Sequence, residues 1–381
     1  MKILKFIFKA IALIALLISL FIFVSGKTYL FKTLVYNFVG IDDLDLFETR
    51  IVKTTNPIEW PTAVNYNKKP MPEKLEATLK QYQSIAFLVF KNDSVLNEYY
   101  WDGYNDSSLT NSFSMAKSFI SVLTGIALKE GKIKSLDQKV YDFIPDYKVG
   151  NRNKLTIRHL LTMSAALSWE ESYLNPLGPT TEAYYGDDLK GLILKQDIVG
   201  EPGKKFNYQS GASQLLALVV EKATGEKVAD YAAQKLWQPL NAVHDAQWSL
   251  DKKEGTEKAY CCYYSNARDF ARIGSLYLHQ GNWKGKQIVD SSYVAESVTP
   301  YPLDNNGKPN AIYGYQWWIG NYSGKKVFYC RGILGQYICV IPDENIVFVR
   351  LGHKRGEKNA DGTLTDLPVY VEQVLNWTKE N

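Results

Sequence analysis

An unbroken apolar run opens the chain. Residues Ala10–Gly26 carry no charge, and Lys2, Lys5 and Lys9 precede them. Basic residues on the N-terminal side of such a run predict a signal peptide or membrane anchor over residues 1–26, since seventeen uncharged residues barely suffice to span a bilayer. Val24-Ser25-Gly26 offers a weak small-residue cleavage site. A second apolar patch, Tyr29–Gly40, is interrupted by Lys32 and is too short to span; it suits the membrane surface or the face of a folded body. Pro57, Pro61, Pro70 and Pro72 then predict an extended linker, so residues 27–72 read as a membrane-proximal segment and the body as residues 73–381.

In the body the period changes twice. After a helix at Glu73–Tyr82, the runs Ile85–Phe90 and Val95–Trp101 flank the polar turn Lys91-Asn92-Asp93-Ser94, which predicts a hairpin. Apolar residues three and four apart predict helices at Phe113–Glu130, Thr156–Met163, Ser213–Thr224, Val228–Leu236 and Asn266–Gln280. Strand patterns return at Lys326–Cys330, Gln336–Ile341 and Ile346–Leu351, followed by a helix at Leu367–Trp377. Strands at both ends with helices between predict an α+β unit whose sheet joins the N- and C-terminal parts of the body, with a helical subdomain inserted.

Composition narrows the chemistry. Of 381 residues 46% are hydrophobic and 22% charged, which is ordinary for a globular chain. The net charge of +4 includes the three leader lysines, so the body is close to neutral and has no footprint for nucleic acid. Four histidines and four cysteines show no metal-ligand spacing, and no metal or organic cofactor is called for.

The next candidate is a serine activated by a lysine. Ser-x-x-Lys occurs at Ser114–Lys117, Ser249–Lys252 and Ser323–Lys326, and the last two lie in polar stretches that would leave the lysine solvated and protonated. Ser114 instead opens an apolar helix. Residues three apart share a helix face, the free N–H groups of the first turn can hold an oxyanion, and burial disfavours the charged lysine, as a general base requires. A plain serine cap with a snorkelling lysine is the competing reading. Tyr208 follows the Pro202-Gly203 turn and precedes a helix, where it can relay a proton, with a nearby cationic lysine favouring phenolate. Cys330-Arg331-Gly332-Ile333-Leu334-Gly335-Gln336 lies at a strand whose glycines let backbone approach a ligand.

Taken together and in this order, the three segments resemble the serine β-lactamase and penicillin-binding-protein superfamily, on its class C side and nearest to 6-aminohexanoate-dimer hydrolases and related esterases. Ala267-Arg268-Asp269-Phe270-Ala271-Arg272, Tyr313-Gly314-Tyr315-Gln316-Trp317-Trp318 and the loop Ser168-Trp169-Glu170-Glu171-Ser172-Tyr173 add to the likeness. It implies a β-lactamase/transpeptidase-like fold with Ser114 as nucleophile, Lys117 as base and Tyr208 as proton shuttle. It further implies an oxyanion hole from the backbone N–H groups of Ser114 and Ile333. Tyr173, Ser210, Arg331 and Gly332 become substrate contacts, and the substrate a small or peptide-like ester or amide in the cell envelope.

Departures from the family pattern bear on that substrate. Its Tyr-x-Asn reads Tyr208-Gln209-Ser210, and its Lys-Thr-Gly reads Cys330-Arg331-Gly332, which removes the cation and hydroxyl that meet a β-lactam carboxylate. Arg331 is the replacement at hand, although strand alternation points it away from the face of position 330. Ser164-Ala165-Ala166 stands where relatives carry Ser-Gly. A β-lactamase or D-alanyl peptidase, and a non-catalytic envelope binding protein, are the alternative readings. Cys261-Cys262 read as small buried apolar residues, and the sequence leaves a Cys330–Cys339 disulfide and two free thiols as open alternatives. Asp187 and Asp188 are candidates for recognising a substrate amine or for a solvated loop. His353 is a candidate for the cleft rim, and Trp317-Trp318 for core and wall.

Overall fold

A computed structural model describes residues 1–36, 38–359 and 362–379. Asn37, inside the Tyr29–Gly40 patch, and Glu380–Asn381 at the end of the body lie outside the described residues.

The expected hairpin and C-terminal strands form one six-stranded antiparallel sheet. Its order is Trp318–Tyr322, Lys325–Gly332, Gln336–Ile341, Ile346–Gly352, Ser84–Lys91, Ser94–Tyr100. The first and last parts of the body therefore meet where Ile346–Gly352 pairs with Ser84–Lys91, Val349 opposite Leu88. Asn92 and Asp93 both take positive φ (50° and 60°), the turn chemistry that lets the two N-terminal strands close directly on each other. Ile85–Phe90 is buried on both sides because the sheet is covered on both sides. The helices Met115–Lys129 and Ala267–Leu278 cover one face, and Glu73–Gln81 with Leu367–Thr378 the other. Gly274 fits close against the sheet: a Cβ there would come within 2.7 Å of Val347 and 2.9 Å of Ile338.

Phe113–Glu130, the expected helix, runs Met115–Lys129 and is buried from Met115 to Ala127. A helix apolar on every side belongs in the core, and this one wedges between the sheet and the helix Ser210–Thr224. Four short strands escape the sequence pattern: Thr49–Val52, Ala246–Ser249, Tyr263–Ser265 and Thr110–Asn111 pair as a second sheet. The Pro57–Pro72 stretch is extended and laid against the body, with the Pro61 carbonyl accepting from Val95 N–H at 2.8 Å.

The leader forms a helix, Lys2–Ser25, with a mean hydropathy of 2.8 and almost no side chain buried. By length and composition it is able to cross a membrane. The second apolar patch forms the helix Tyr29–Tyr36, which packs on the body rather than lying free of it. Lys27 pairs with Glu182 at 3.5 Å and the Tyr36 ring stacks on Tyr185.

The cysteine reading needs one correction and gains one answer. Cys261 and Cys262 are buried as expected but joined to each other by a disulfide. Cys330 and Cys339 are free and buried. In the strand register Cys330 faces Ile338 and Tyr329 faces Cys339, so alternation sends the two thiols to opposite faces of the sheet.

Candidate active site

Ser114 sits at the N-cap of its buried helix, one residue after Phe113, whose φ of +43° is unusual for a side chain of that size. The turn is held locally. Asn111 Oδ1 accepts from Phe113 N–H at 2.8 Å, and the Asn111 backbone N–H donates to the Ile41 carbonyl at 2.9 Å. The nucleophile candidate is thus presented by a constrained corner between a two-residue strand and a core helix.

One helical turn on, Lys117 is only 1% exposed. Its Nζ lies 3.0 Å from Ser114 Oγ and donates to the Tyr260 carbonyl at 2.7 Å. Among the described residues no carboxylate touches it. Burial disfavours its ammonium and pulls its pKa down to about 8, against a weaker upward pull from Glu171. A neutral Lys117 that donates one N–H to Tyr260 is free to turn its lone pair to the serine hydroxyl, the arrangement a general base needs.

Tyr208 is brought to the same place, its ring 5.2 Å from Lys117 Nζ and 5.5 Å from the Trp318 ring. Burial and the Glu171 charge push its pKa well up, outweighing Ser114, Arg331 and Arg355. Tyr208 is therefore a phenol at neutral pH and not the phenolate expected from its proximity to a lysine.

Ser114 and Tyr208 share a cavity of about 390 Å³ with Tyr173, Arg331, Gly332 and Ile333. Arg331 does leave the face of position 330, as alternation requires, yet its guanidinium stacks 3.4 Å over the Trp318 ring and reaches the cavity around the sheet edge. Cys330, in the place of the family's lysine, is fully buried with its thiol pushed up to about 12. Gly332 has no room for a side chain, because a Cβ would run into the Ser112 carbonyl oxygen beside the nucleophile. Gly332→Ala is expected to cost about 1–3 kcal/mol of stability and to lower turnover at least tenfold by pushing the strand away from Ser114. Denaturant titration and ester turnover check this.

Ser210 is close by but committed elsewhere: its N–H and hydroxyl both donate to Glu171, at 2.7 Å each. Trp169 Nε1 and the Tyr173 hydroxyl complete a four-donor cradle around that carboxylate, at 2.8 Å each. Glu171 is the residue that sequence reasoning missed. It fixes Tyr173 at the rim, and its charge acts on both Lys117 and Tyr208. Tyr260, Arg355 and Lys358 were also missed; Arg355 and Lys358 add cations to the cavity. Asp188 caps its own helix through Gly191 N–H and stays outside the site with Asp187, whereas His353 lines a second cavity that also touches Ser114. Trp317 is core, stacked on Tyr277, and Trp318 is wall.

The family profile named Beta-lactamase matches residues 73–368. The chain belongs to the beta-lactamase family. With that membership it is a serine hydrolase built on an antiparallel sheet with a helical subdomain. It is 27% identical to the 6-aminohexanoate-dimer hydrolase of Paenarthrobacter ureafaciens over 303 residues, 73% of this chain and 74% of that protein. Among solved structures, a Bacillus anthracis protein provisionally named 6-aminohexanoate-dimer hydrolase superposes with a TM-score of 0.76 at 21% identity. That match covers 88% of this chain and 92% of the other. A D-stereospecific amidohydrolase from Streptomyces sp. gives 0.62 at 16% identity, over 82% and 100% of the two chains. Both structural likenesses speak for the shared fold.

Proposed function

We propose that this beta-lactamase-family member is an exported hydrolase, held at the membrane by its N-terminal helix, that cleaves an ester or amide through an acyl-enzyme on Ser114. The observation that carries the reading is the buried Lys117 Nζ, 3.0 Å from Ser114 Oγ and with no carboxylate in contact among the described residues. Neutral Lys117 takes the hydroxyl proton as Oγ attacks the carbonyl carbon, and the backbone N–H groups of Ser114 and Ile333 hold the oxyanion. As the tetrahedral adduct collapses, the Tyr208 phenol gives its proton to the leaving group and recovers one from the Lys117 ammonium. Water then attacks the acyl-enzyme by the same path in reverse. Tyr173 stands at the rim of the cleft, and Arg331, Arg355 and Lys358 favour a leaving group that carries an anion.

Tyr208→Phe tests the shuttle. It is expected to lower kcat by about 10²–10⁴ with little change in KM, measured with a chromogenic ester whose leaving group needs protonation. A wild-type kcat in that variant would remove Tyr208 from the mechanism.

Penicillin-type chemistry is the weaker reading, because the position that would offer a cation to a β-lactam carboxylate is the buried Cys330. A simple chromogenic ester is expected to be turned over faster than a chromogenic cephalosporin. The reverse order would reinstate the β-lactamase reading. The non-catalytic alternative fits poorly with a desolvated lysine held against a serine, an arrangement that costs stability and has no use in passive binding.

A further inference from the structure

Ser114 opens onto two chambers of different character. The first, described above, holds Tyr208 and three cationic side chains. The second, of about 730 Å³, shares Ser114, Tyr173 and Ile333 with it but excludes Tyr208. Its walls are largely apolar, from Phe38, Val39, Leu174, Tyr185 and Leu334. The juxtamembrane segment builds one wall of this second chamber, through Thr33, Phe38, Val39 and Gly40, directly after the apolar leader helix.

That wall is fixed to the catalytic corner. The Ile41 carbonyl bonds Asn111, whose side chain sets Phe113, and Asp43 accepts from the Tyr184 hydroxyl at 2.9 Å. At the chamber's mouth Phe38 is 78% and Leu174 88% exposed, and Leu34 and Val35 on the adjoining helix are exposed as well. An exposed apolar collar continuous with a membrane-type helix suits contact with a lipid surface.

Resting on the acyl-enzyme reading above, we infer that the second chamber is an acyl-chain site and that the substrate is an amphiphile: a fatty-acyl ester or amide whose polar, anionic leaving group occupies the first chamber. The division of the two chambers sets the orientation. Tyr208, the proton donor to the leaving group, lines only the polar chamber, so the acyl part must take the apolar one. The chain enters from the bilayer side, past Phe38 and Leu174. The Ser114 oxygen bonds the acyl carbon, the leaving group departs with the Tyr208 proton, and water releases a fatty acid.

The test is kcat/KM of the full-length protein in detergent with 4-nitrophenyl esters from acetyl to dodecanoyl, beside fluorophosphonate labelling of the same sample. Each methylene that enters the chamber is expected to raise kcat/KM by about fourfold, so the four added from butanoyl to octanoyl raise it by up to about 250-fold. Lengthening the alcohol side of acetate esters is expected to give no such rise. Val39→Asp, which places a charge in the apolar wall, is expected to lower the octanoyl-to-acetyl ratio at least about tenfold. Ser114 labelled, with turnover flat or falling as the acyl chain lengthens, would overturn the acyl-chain site and leave the serine hydrolase standing. Neither labelling nor turnover in folded protein would overturn both.

Discussion

Ser114→Ala is expected to reduce ester turnover by roughly a millionfold and to leave the fold intact. The size follows from the proposed mechanism: without the Ser114 oxygen Lys117 has no proton to take, and no acyl-enzyme forms for Tyr208 to serve. Stability is spared because the Ser114 hydroxyl makes no capping bond to the backbone N–H groups of the first turn. Steady-state turnover with circular dichroism and thermal melting checks both parts. Residual activity above about one part in a thousand, with contamination excluded, would place the nucleophile elsewhere.

Lys117→Met carries the second large effect, and it moves activity and stability in opposite directions. Turnover is expected to fall by about 10⁴ through loss of the base. Stability is expected to rise by up to about 3 kcal/mol at neutral pH, because the methionine removes a cation held in a dry site. The sign follows from the depressed pKa of about 8. Between pH 8 and the ordinary lysine value the unfolded chain keeps its proton and the folded chain does not, so wild-type stability rises with pH across that window. Below pH 8 both states are protonated and the penalty is constant. Lys258, also buried and depressed by its burial, contributes with the same sign. The wild-type kcat/KM is expected to climb with pH, to pass half its limiting value near pH 8 and to level off above about pH 9, since only the neutral amine can take the serine proton. A flat pH profile, or a Lys117→Met protein less stable than wild type, would show that this lysine is neither the base nor strained in its site.

Local patterns made the chemical core legible before any coordinates. Ser114 and Lys117 lie one helical turn apart, so their contact follows from the helix, and the apolar sequence around them announces the burial that depresses the lysine. The strands at Gln336–Ile341 and Ile346–Gly352 stand where short apolar runs, Gln336–Ile341 and Ile346–Leu351, put them. What escaped is non-local. The Thr49–Val52 strand finds its partner some two hundred residues away, and four residues carry too little pattern to announce a pairing. Glu171 matters only because the loop before Tyr173 folds back onto the N-terminus of the helix at Ser210, and no spacing encodes that meeting. Tyr260 acts through its carbonyl, which any residue type supplies. Arg331 obeys strand alternation and still reaches the cleft, because the sheet ends there and its long side chain curls over Trp318.

The same distinction applies to the leader. Its composition marks a membrane-type helix at once. That Thr33, Phe38, Val39 and Gly40 line a chamber open to Ser114 depends on Lys27 meeting Glu182, Tyr36 meeting Tyr185 and Ile41 meeting Asn111.

The most direct test of the account is the intact mass of the folded protein after exposure to a fluorophosphonate, with wild type and Ser114→Ala side by side. One adduct on wild type and none on the variant is the predicted result, because only a serine beside a neutral base attacks such a phosphorus. No adduct on folded wild type, or an equal adduct on both proteins, would contradict the assignment of Ser114 as the activated nucleophile.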